Sequence, residues 1–298
     1  MTQQEKFPVS QITNSDETYP ALLKEIHDPP SPLYIRGDIT TTQTIPFVAI
    51  VGTRKCTSYG KQVTMNLVRD LTRAGVGIAS GMALGIDTVA HQTALEENGK
   101  TIAVLGSGID DASIYPRANM RLAKNILENG GAIVSEYEPA SPTYPSNFPA
   151  RNRIIAGLAR MTVVIEAPYE SGALITARFA LEQNRDVGAV PGPLYTKQSE
   201  GTNDFIAKGA VCVRSASDIL QALGIENAHA GTKQQPIFSS PEEERVYKTL
   251  QDTGTPLSID KIIELTTLLP SQVVSCINSL KLANNVKDVG GERYICNA

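Results

Sequence analysis

Short apolar runs alternate with longer amphipathic segments along the middle of the chain, between residues 47 and 222. Runs of four or five apolar residues predict buried strands, whereas apolar positions spaced three or four apart predict helices. The predicted strands are residues 47–51, 76–80, 101–105, 132–135, 162–165, 187–190 and 212–213. The predicted helices are residues 58–74, 85–97, 117–129, 151–159, 171–183, 204–208 and 216–223. This alternation predicts an α/β domain over residues 47–225 with a doubly wound, mostly parallel sheet.

The pattern differs on either side of this domain. Residues 1–46 form a lead-in with a short helix at 22–26, a proline-rich turn at 29–32 and a strand at 33–36. We expect this lead-in to pack on the main sheet. Residues 226–241 are polar, contain Gly, Pro and Ser, and lack apolar periodicity, which is typical of a linker.

Residues 242–298 predict a second, smaller domain. Three short helical patterns at 242–250, 258–265 and 270–282 precede a ribbon that turns at Gly290 and Gly291. Three helices followed by a hairpin are typical of a winged helix, whose third helix can read a DNA groove. Such a helix normally carries several cations and amides, but this one holds only Lys281 as a cation. We therefore favour docking on a protein over DNA reading for this domain.

The composition limits the classes of function. The chain has 298 residues, of which 41% are hydrophobic and 19% charged, and its net charge is −4. A polyanion would therefore have to meet a local basic patch, because the overall charge repels it. No apolar run approaches the roughly 20 residues of a membrane span, and the polar N-terminus lacks the apolar core of a signal peptide. The four cysteines have no CxxC spacing, which predicts free thiols in a reducing cytoplasm.

The loop after the first strand of the main domain carries the first candidate site. Gly52 ends the strand, Arg54 and Lys55 follow it, and a helix begins near Ser58. Ligands of such sheets bind at the carboxyl ends of the strands, against helix N-termini, so we expect Gly52, Arg54 and Lys55 to face an anion. The loop matches neither the GxGxxG fingerprint nor the P-loop. A purely structural turn with two solvated cations is the alternative.

Three further loops place small residues at the same edge of the sheet. Small residues let a phosphate approach the backbone closely, and successive N–H groups can hold an anion. The residues concerned are Ser80, Gly81, Ser107, Gly108, Ser171 and Gly172. Each loop alone is a weak signal, but together with Arg54 they predict a site for several phosphates.

The segment NFPARNRIIAGL, residues 147–158, is the most distinctive local feature. It brings Asn147 and Phe148 close in sequence to Arg151 and Arg153, which the pattern places at a helix start. Arginines that take phosphates beside a ring that takes a base are typical of single-strand nucleic-acid binding. A buried Phe148 with two solvated arginines is the alternative, because aromatic residues usually belong to the core.

Catalytic groups are harder to find in the sequence. Asp87 and His91 are four residues apart on one helix face, which favours a hydrogen-bonded structural pair over a metal site, because histidine ligands normally come in sets. Glu136 and Glu138 could serve as general bases, but no second carboxylate or metal site is spaced with them. We therefore expect no catalytic constellation, no metal and no cofactor.

Between about Tyr19 and Leu223 the chain resembles the DNA-processing protein A family (DprA, also called Smf). The resemblance covers about 200 residues in an ordered series of motifs. These motifs are TYPALLKEIHDPP, LYIRGD, VAIVGTR, SGMALGIDTVAH, VLGSGID, NFPARNRIIAGL, ESGALITARFALEQNRDVGAVPG and GTNDFIAKGA. The stretch before Tyr19 is too short for the N-terminal helical domain that some members carry.

The resemblance implies an extended Rossmann-type domain, with a winged helix at the C-terminus. It also implies a dimer without established catalytic activity that binds single-stranded DNA during natural transformation, protects the strand, and helps to load RecA in place of single-strand binding protein. The family's DNA pocket corresponds here to Arg54, Ser107, Gly108, Phe148, Arg151 and Arg153, with Ser171 and Gly172 beside it. We expect an apolar helix face in residues 160–223 to form the dimer.

Two other interpretations remain open. The strand-end loops could hold a small nucleotide and make the chain a nucleotide-binding or nucleotide-hydrolysing Rossmann enzyme. The small C-terminal domain could instead make it a regulator that binds duplex DNA, although the low charge of its third helix argues against this.

Overall fold

A computed structural model describes residues 6–225, 238–283 and 285–296. The chain divides into two compact units, residues 1–230 and 231–298. Within its described residues the larger unit contains one nine-stranded sheet. Its strands are β1 (Ser10–Ile12), β2 (Leu33–Gly37), β3 (Phe47–Val51), β4 (Gly77–Ser80), β5 (Thr101–Leu105), β6 (Ala132–Ser135), β7 (Met161–Val164), β8 (Asp186–Ala189) and β9 (Val211–Cys212).

Helices connect most of these strands. They are α1 (Ala21–Lys24), α2 (Ser58–Arg73), α3 (Ile86–Glu96), α4 (Met120–Glu128), α5 (Asn147–Gly157), α6 (Gly172–Glu182), α7 (Glu200–Ala207) and α8 (Ala216–Ala222). Short 3-10 turns occur at Thr40–Gln43, Arg117–Asn119 and Lys197–Ser199. Element types agree with the sequence patterns, and most boundaries agree to within one or two residues.

The strand order is β1-β2-β6-β5-β4-β3-β7-β8-β9. Strands β3 to β9 are all parallel, while β2 runs antiparallel to β6 and β1 antiparallel to β2. The chain therefore moves from β3 towards β6 in one direction and then returns to the other side of β3 with β7. The predicted α/β fold with a doubly wound, mostly parallel sheet is confirmed.

Both faces of the sheet are covered, which explains why its strands are apolar on both sides. Phe47, Ala49 and Val51 of β3 pack with α5 and α6 on one face, whereas Val48 and Ile50 pack with α2, α3 and α8 on the other. A third cluster joins β5 and β6 to α4. Because consecutive residues of β3 point to opposite faces, one five-residue strand contributes to two cores.

Two differences from the sequence prediction have physical causes. Helix α5 begins at Asn147, not at Arg151, because Pro149 lies in its first turn, where proline removes no helical hydrogen bond. Strand β1 was not predicted, because three largely exposed residues carry no apolar run. With β2 it extends the main sheet, so the lead-in forms part of the sheet as well as packing on it.

The smaller unit contains α9 (Pro241–Thr253), β10 (Leu257–Ser258), α10 (Ile259–Thr266), α11 (Pro270–Leu282), β11 (Val286–Asp288) and β12 (Arg293–Cys296). The strands pair antiparallel in the order β10-β12-β11. The helices pack on this sheet around Val246, Leu250, Ile277 and Leu280. The predicted helices and ribbon are present, and the winged-helix assignment stays a prediction. Of the predicted linker, residues 226–237 lie outside the described residues.

The cysteines form no disulfide in the part of the chain that the structure describes. Over the same residues, no helix combines the length and the apolar character needed to cross a bilayer.

Gly85 lets the start of α3 approach the loop between β3 and α2. Its φ of +83° and ψ of −127° suit glycine, and a Cβ there would overlap the Thr53 carbonyl oxygen and lie 2.7 Å from that of Arg54. We predict that Gly85→Ala lowers the free energy of unfolding by about 2–4 kcal/mol, through backbone strain and overpacking. Urea denaturation followed by circular dichroism would measure the change.

Gly75 supplies a matched control, since it also has a positive φ, of +78°, but a Cβ there would meet nothing within 4 Å. Gly75→Ala should cost only the backbone term, about 1–2 kcal/mol. Equal losses in the two variants would contradict the close approach of α3 to the loop.

His91 links α3 to β5, because its Nδ1 lies 2.7 Å from the Thr101 hydroxyl, which itself donates to the Ile78 carbonyl at 2.9 Å. Burial, with a contribution from Arg151, lowers the pKa of His91 to about 3. The unfolded chain, with a histidine pKa of about 6.5, therefore binds the proton first, and stability is lost as the pH falls from about 6.5 towards 3.

We predict that His91→Gln removes this component. Between pH 7.5 and pH 5 the free energy of unfolding of the wild type should fall by about 2 kcal/mol more than that of the variant. Urea denaturation at the two pH values measures this difference. An identical fall in both proteins would show that His91 does not titrate differently in the folded and unfolded chains.

Candidate functional site

A cleft of about 970 Å³ opens at the carboxyl ends of β3 and β7. These strands are neighbours, and the direction of winding reverses between them. In doubly wound sheets this reversal leaves a crevice, because the loops that follow the two strands turn to opposite sides. Predicted site residues that line the cleft are Gly52, Arg54, Lys55, Phe148, Arg151, Ser171 and Gly172.

The loop after β3 is held from both sides. The Thr53 amide donates to the Glu166 carbonyl at 2.7 Å, and the Ile86 amide donates to the Thr53 carbonyl at 3.3 Å. Gly52 packs against Ile86, where a Cβ would come within 2.5 Å of the side chain. The loop backbone is therefore fixed, while the side chains of Arg54 and Lys55 remain exposed.

Arg54 lies over an aromatic ring. Its guanidinium carbon is 5.7 Å from the centre of the Phe148 ring, which is within the range of a cation–π interaction. The Phe148 ring in turn contacts Tyr115, with ring centroids 5.5 Å apart and planes tilted by 45°. Phe148 is only half-buried and Tyr115 is 47% exposed, so both rings keep surface at the cleft. The alternative of a fully buried Phe148 is therefore wrong.

Arg151 is buried in the floor of the cleft. Only 5% of it is exposed, and its Nη1 donates to the carbonyls of Gly81, at 2.6 Å, and of Val104. Burial lowers the pKa of Arg151 to about 10, and the nearby Asp87 opposes this effect. The alternative of a solvated arginine is therefore wrong. The Arg151 side chain lines the floor of the cleft, and its hydrogen bonds join α5 to the residue after β4 and to β5.

Arg153 is placed differently from the prediction. Its guanidinium forms two hydrogen bonds to the Glu136 carboxylate, at 2.9 and 2.8 Å, and an ion pair with Asp28 at 3.3 Å. Burial alone would lower the pKa of Arg153, but Glu136 and Asp28 outweigh this and raise it. Arg153 does not line the cleft, because it points to the lead-in from the second turn of α5, and its charge is neutralised within the protein.

Ser107, Gly108 and Asn147 also lie behind the cleft instead of on its wall. All three are buried. The Ser107 carbonyl accepts from the Ser135 hydroxyl at 2.7 Å, and a Cβ at Gly108 would collide with the Pro139 carbonyl. These residues therefore shape the end of β5, and the expectation that they face the ligand directly does not fit their positions.

The loop after β7 supplies the opposite wall. Ser171 caps α6, because its hydroxyl accepts from the Ala173 amide at 3.3 Å. The Asn152 side chain donates to the Gly172 carbonyl at 3.1 Å and so joins this loop to α5. A Cβ at Gly172 would meet nothing within 4 Å, which means that this part of the wall is open.

Sequence reasoning missed several cleft residues. They are Tyr115, Asn152, Tyr169, Glu170, Lys197 and Glu200. Tyr169 is 60% exposed. In the sequence, the signal that could have found it is an aromatic residue directly before the predicted site residues Ser171 and Gly172 and their neighbour Glu170. Lys197 comes from the loop after β8, and nothing in its local sequence indicates that it reaches the cleft.

The candidate acid–base groups have structural partners. Asp87 accepts from the Gly81 and Ala83 amides at 3.1 and 3.2 Å, whereas His91 bonds Thr101. The predicted Asp87–His91 pair is therefore wrong, because each side chain binds a different neighbour. Burial raises the pKa of Asp87 to about 6, against the opposing effect of Arg151. Over the described residues, no group of three His, Cys, Asp or Glu side chains is placed to hold a metal ion.

Comparison with known proteins gives consistent relatives. Residues 10–224 match the family model described as DNA recombination-mediator protein A. Protein Smf of Escherichia coli is 38% identical over 285 residues, covering 94% of this chain and 75% of the relative. The DNA processing protein DprA of Streptococcus pneumoniae is 43% identical over 216 residues, covering 72% of this chain and 74% of the relative.

Two solved structures resemble this one. The X-ray structure of DprA from Streptococcus pneumoniae superposes with a TM-score of 0.66 at 41% identity, covering 73% of this chain and 74% of the other. A structure of DNA processing protein A from Helicobacter pylori, described in terms of its unique single-stranded DNA binding mode, superposes with a TM-score of 0.65 at 34% identity, covering 73% and 96%. The chain therefore belongs to the DNA recombination-mediator protein A family.

Proposed function

We propose that the cleft at the end of β3 and β7 binds single-stranded DNA. The observation that carries this proposal is the arrangement of Arg54 over the half-buried Phe148 ring, with Tyr115 beside it. Cations next to exposed rings suit single strands, because phosphates follow the cations while any base can stack on a ring. The similar Helicobacter pylori protein, described by its single-stranded DNA binding mode, supports the same ligand.

Each side of the cleft has a distinct role in this proposal. Arg54, Lys55 and Lys197 neutralise phosphates, and Phe148 with Tyr115 offers the base a stacking surface. The small residues Gly52, Ser171 and Gly172 let the DNA backbone come close to the protein, and they donate hydrogen bonds to it. A second set acts indirectly, by fixing the walls or the floor. This set consists of Ser107, Gly108, Asn147, Arg151 and Arg153.

Membership of the family supports a proposal for the cellular role. We propose a cytoplasmic recombination mediator that protects incoming single strands in natural transformation and helps to load RecA, displacing or bypassing single-strand binding protein. It acts by binding, not by catalysis. We further propose a homodimer through an apolar helix face in residues 160–223, where Leu181 of α6 is 56% exposed. The family description of a recombination mediator supports this role.

A nucleotide-hydrolysing enzyme is the second candidate function. It is favoured by Asp87, a buried carboxyl that lines the cleft and has a pKa of about 6. It is opposed by Glu136, the other carboxylate considered, because Arg153 holds both of its oxygens. Nucleotide turnover that Asp87→Asn abolishes, with tight nucleotide binding in the wild type, would establish this function instead.

We predict that Arg54→Ala lowers the affinity for labelled oligo-dT by about tenfold, because it removes one charged hydrogen-bond donor. The slope of log affinity against log salt should decrease by about 0.7, the value for one phosphate contact on a single strand. Fluorescence anisotropy at several salt concentrations measures both quantities. Arg121→Ala is the control, since Arg121 is exposed on α4 and does not line the cleft.

Unchanged affinity and slope in Arg54→Ala would show that the strand binds elsewhere. Displacement of oligo-dT by duplex DNA, without an effect of Arg54→Ala, would instead point to the small C-terminal domain.

The aromatic contact is tested separately. Phe148→Ala should weaken oligo-dT binding by about 5- to 150-fold, which corresponds to the loss of one base stack. Phe148→Leu retains much of the apolar volume but not the ring, so it should fold normally and bind nearly as weakly as Phe148→Ala. Anisotropy and thermal unfolding of both variants measure these effects. Wild-type affinity in Phe148→Leu would mean that Phe148 only packs.

A further inference from the structure

The start of α2 is the place where a sheet of this kind receives a phosphate. It follows β3, which lies at the reversal of winding, so its N-terminus lies at the carboxyl end of the sheet. The helix dipole and the unpaired amides of a first turn attract an anion. The described structure shows that this position already holds an anion from the protein itself.

That anion is the carboxylate of Glu166, which follows β7. Glu166 is only 3% exposed. Its Oε2 accepts from the Thr57 amide at 2.9 Å, and its Oε1 accepts from the Thr57 hydroxyl at 2.5 Å. The Thr57 oxygen in turn accepts from the Gly60 amide at 3.1 Å. The Thr57 and Gly60 amides at this helix start are thus hydrogen-bonded within the protein, beside a buried carboxylate.

Gly60 makes room for this arrangement. In a common capping motif, a glutamate at the third helical position reaches back to the amide of the capping residue. Here the third position is Gly60, and a Cβ there would collide with the Glu166 carboxylate. A glutamate from another strand therefore fills the space and the electrostatic role that a local side chain normally takes.

The charge of Glu166 is felt by the neighbouring groups. Burial raises the pKa of both the Cys56 thiol and the Tyr59 hydroxyl, and the Glu166 charge raises each of them further. A second anion at the same place would be repelled for the same reason. The Glu166 carbonyl also accepts from the Thr53 amide at 2.7 Å, so the residue fastens both ends of the loop that carries Arg54 and Lys55.

We propose that Glu166 is a specificity-determining residue that closes the α2 start to phosphate groups and thereby excludes free nucleotides from the site at which dinucleotide folds hold them. The phosphates of a polynucleotide then contact the exposed side chains of Arg54 and Lys55 instead. This proposal is about phosphate and free nucleotides, so it does not depend on whether the cleft binds DNA.

The test measures the wild type first. Inorganic phosphate and ADP are titrated in the millimolar range, and the amide resonances of Thr57 and Gly60 are followed by NMR. The closed α2 start predicts no saturable shift of either resonance. A saturable shift of these amides with phosphate or ADP in the wild type would overturn the proposal, and this result requires no variant to fold.

Glu166→Ala should then open the site. Its affinity for phosphate should rise by about tenfold over the wild type, since unpaired amides at a helix start attract an anion, and the shifts should centre on Thr57 and Gly60. Glu166→Gln should gain less than Glu166→Ala, because its amide group fills the same space and its oxygen can still accept from Thr57, although the repelling charge is lost. Glu170→Ala is the matched control, as Glu170 lies in the cleft wall on the loop that leads into α6.

A folded Glu166→Ala that gains no affinity would overturn the proposal, as would an equal gain in Glu170→Ala. Oligo-dT anisotropy on the same proteins keeps the two questions apart. If phosphate binds at the α2 start of a wild type that still binds oligo-dT, the role assigned to Glu166 is wrong and the proposed function stands. If the wild type does not bind oligo-dT, the proposed function is wrong and the role of Glu166 is unaffected.

Discussion

The reversal of winding between β3 and β7 is the constraint from which the site follows. Right-handed crossovers that lead from β3 towards β6 cover one face of the sheet with α2, α3 and α4, while those around β7 and β8 cover the other face with α5 and α6. The loops that leave β3 and β7 must therefore diverge, and a cleft remains between them. The apolar residues of two adjacent strands thus determine where a ligand can bind, before any polar residue is considered.

Internal pairing then decides which charges a ligand meets. The net charge is −4, so an anionic strand is attracted only by local cations. Arg153 is neutralised by Glu136 and Asp28, Arg151 is bonded to backbone carbonyls below the cleft, and Glu166 occupies the α2 start. The exposed cations that line the cleft are Arg54, Lys55 and Lys197, and the acidic residues Glu170 and Glu200 line it as well. The buried arginines of this site therefore support its structure, whereas the exposed cations are free to meet an anionic ligand.

The sequence predicts the fold well because period and length suffice to recognise buried strands and amphipathic helices. The sequence also places Arg54 and Phe148 at the candidate site, because Arg54 follows a recognisable strand and Phe148 lies next to a recognisable helix. It does not predict that Arg153 is ion-paired or that Ser107 is buried, because side-chain direction at a strand end depends on contacts with residues far along the chain. Lys197 and Glu166 lie in the loops that follow β8 and β7, so their nearness to the site appears only when the strand order is known.

In the complex that we propose, a single strand lies in the cleft with a base against Phe148 and Tyr115. The most direct measurement is photocrosslinking of a 5-bromodeoxyuridine oligonucleotide, followed by mass spectrometry of the modified peptides. We expect the crosslinks to fall on Phe148 or Tyr115, and to disappear when excess unlabelled oligo-dT is added. If the crosslinks that unlabelled oligo-dT removes were confined to α11 or β12 of the smaller unit, with none at the cleft, the cleft would not be the binding site of the strand.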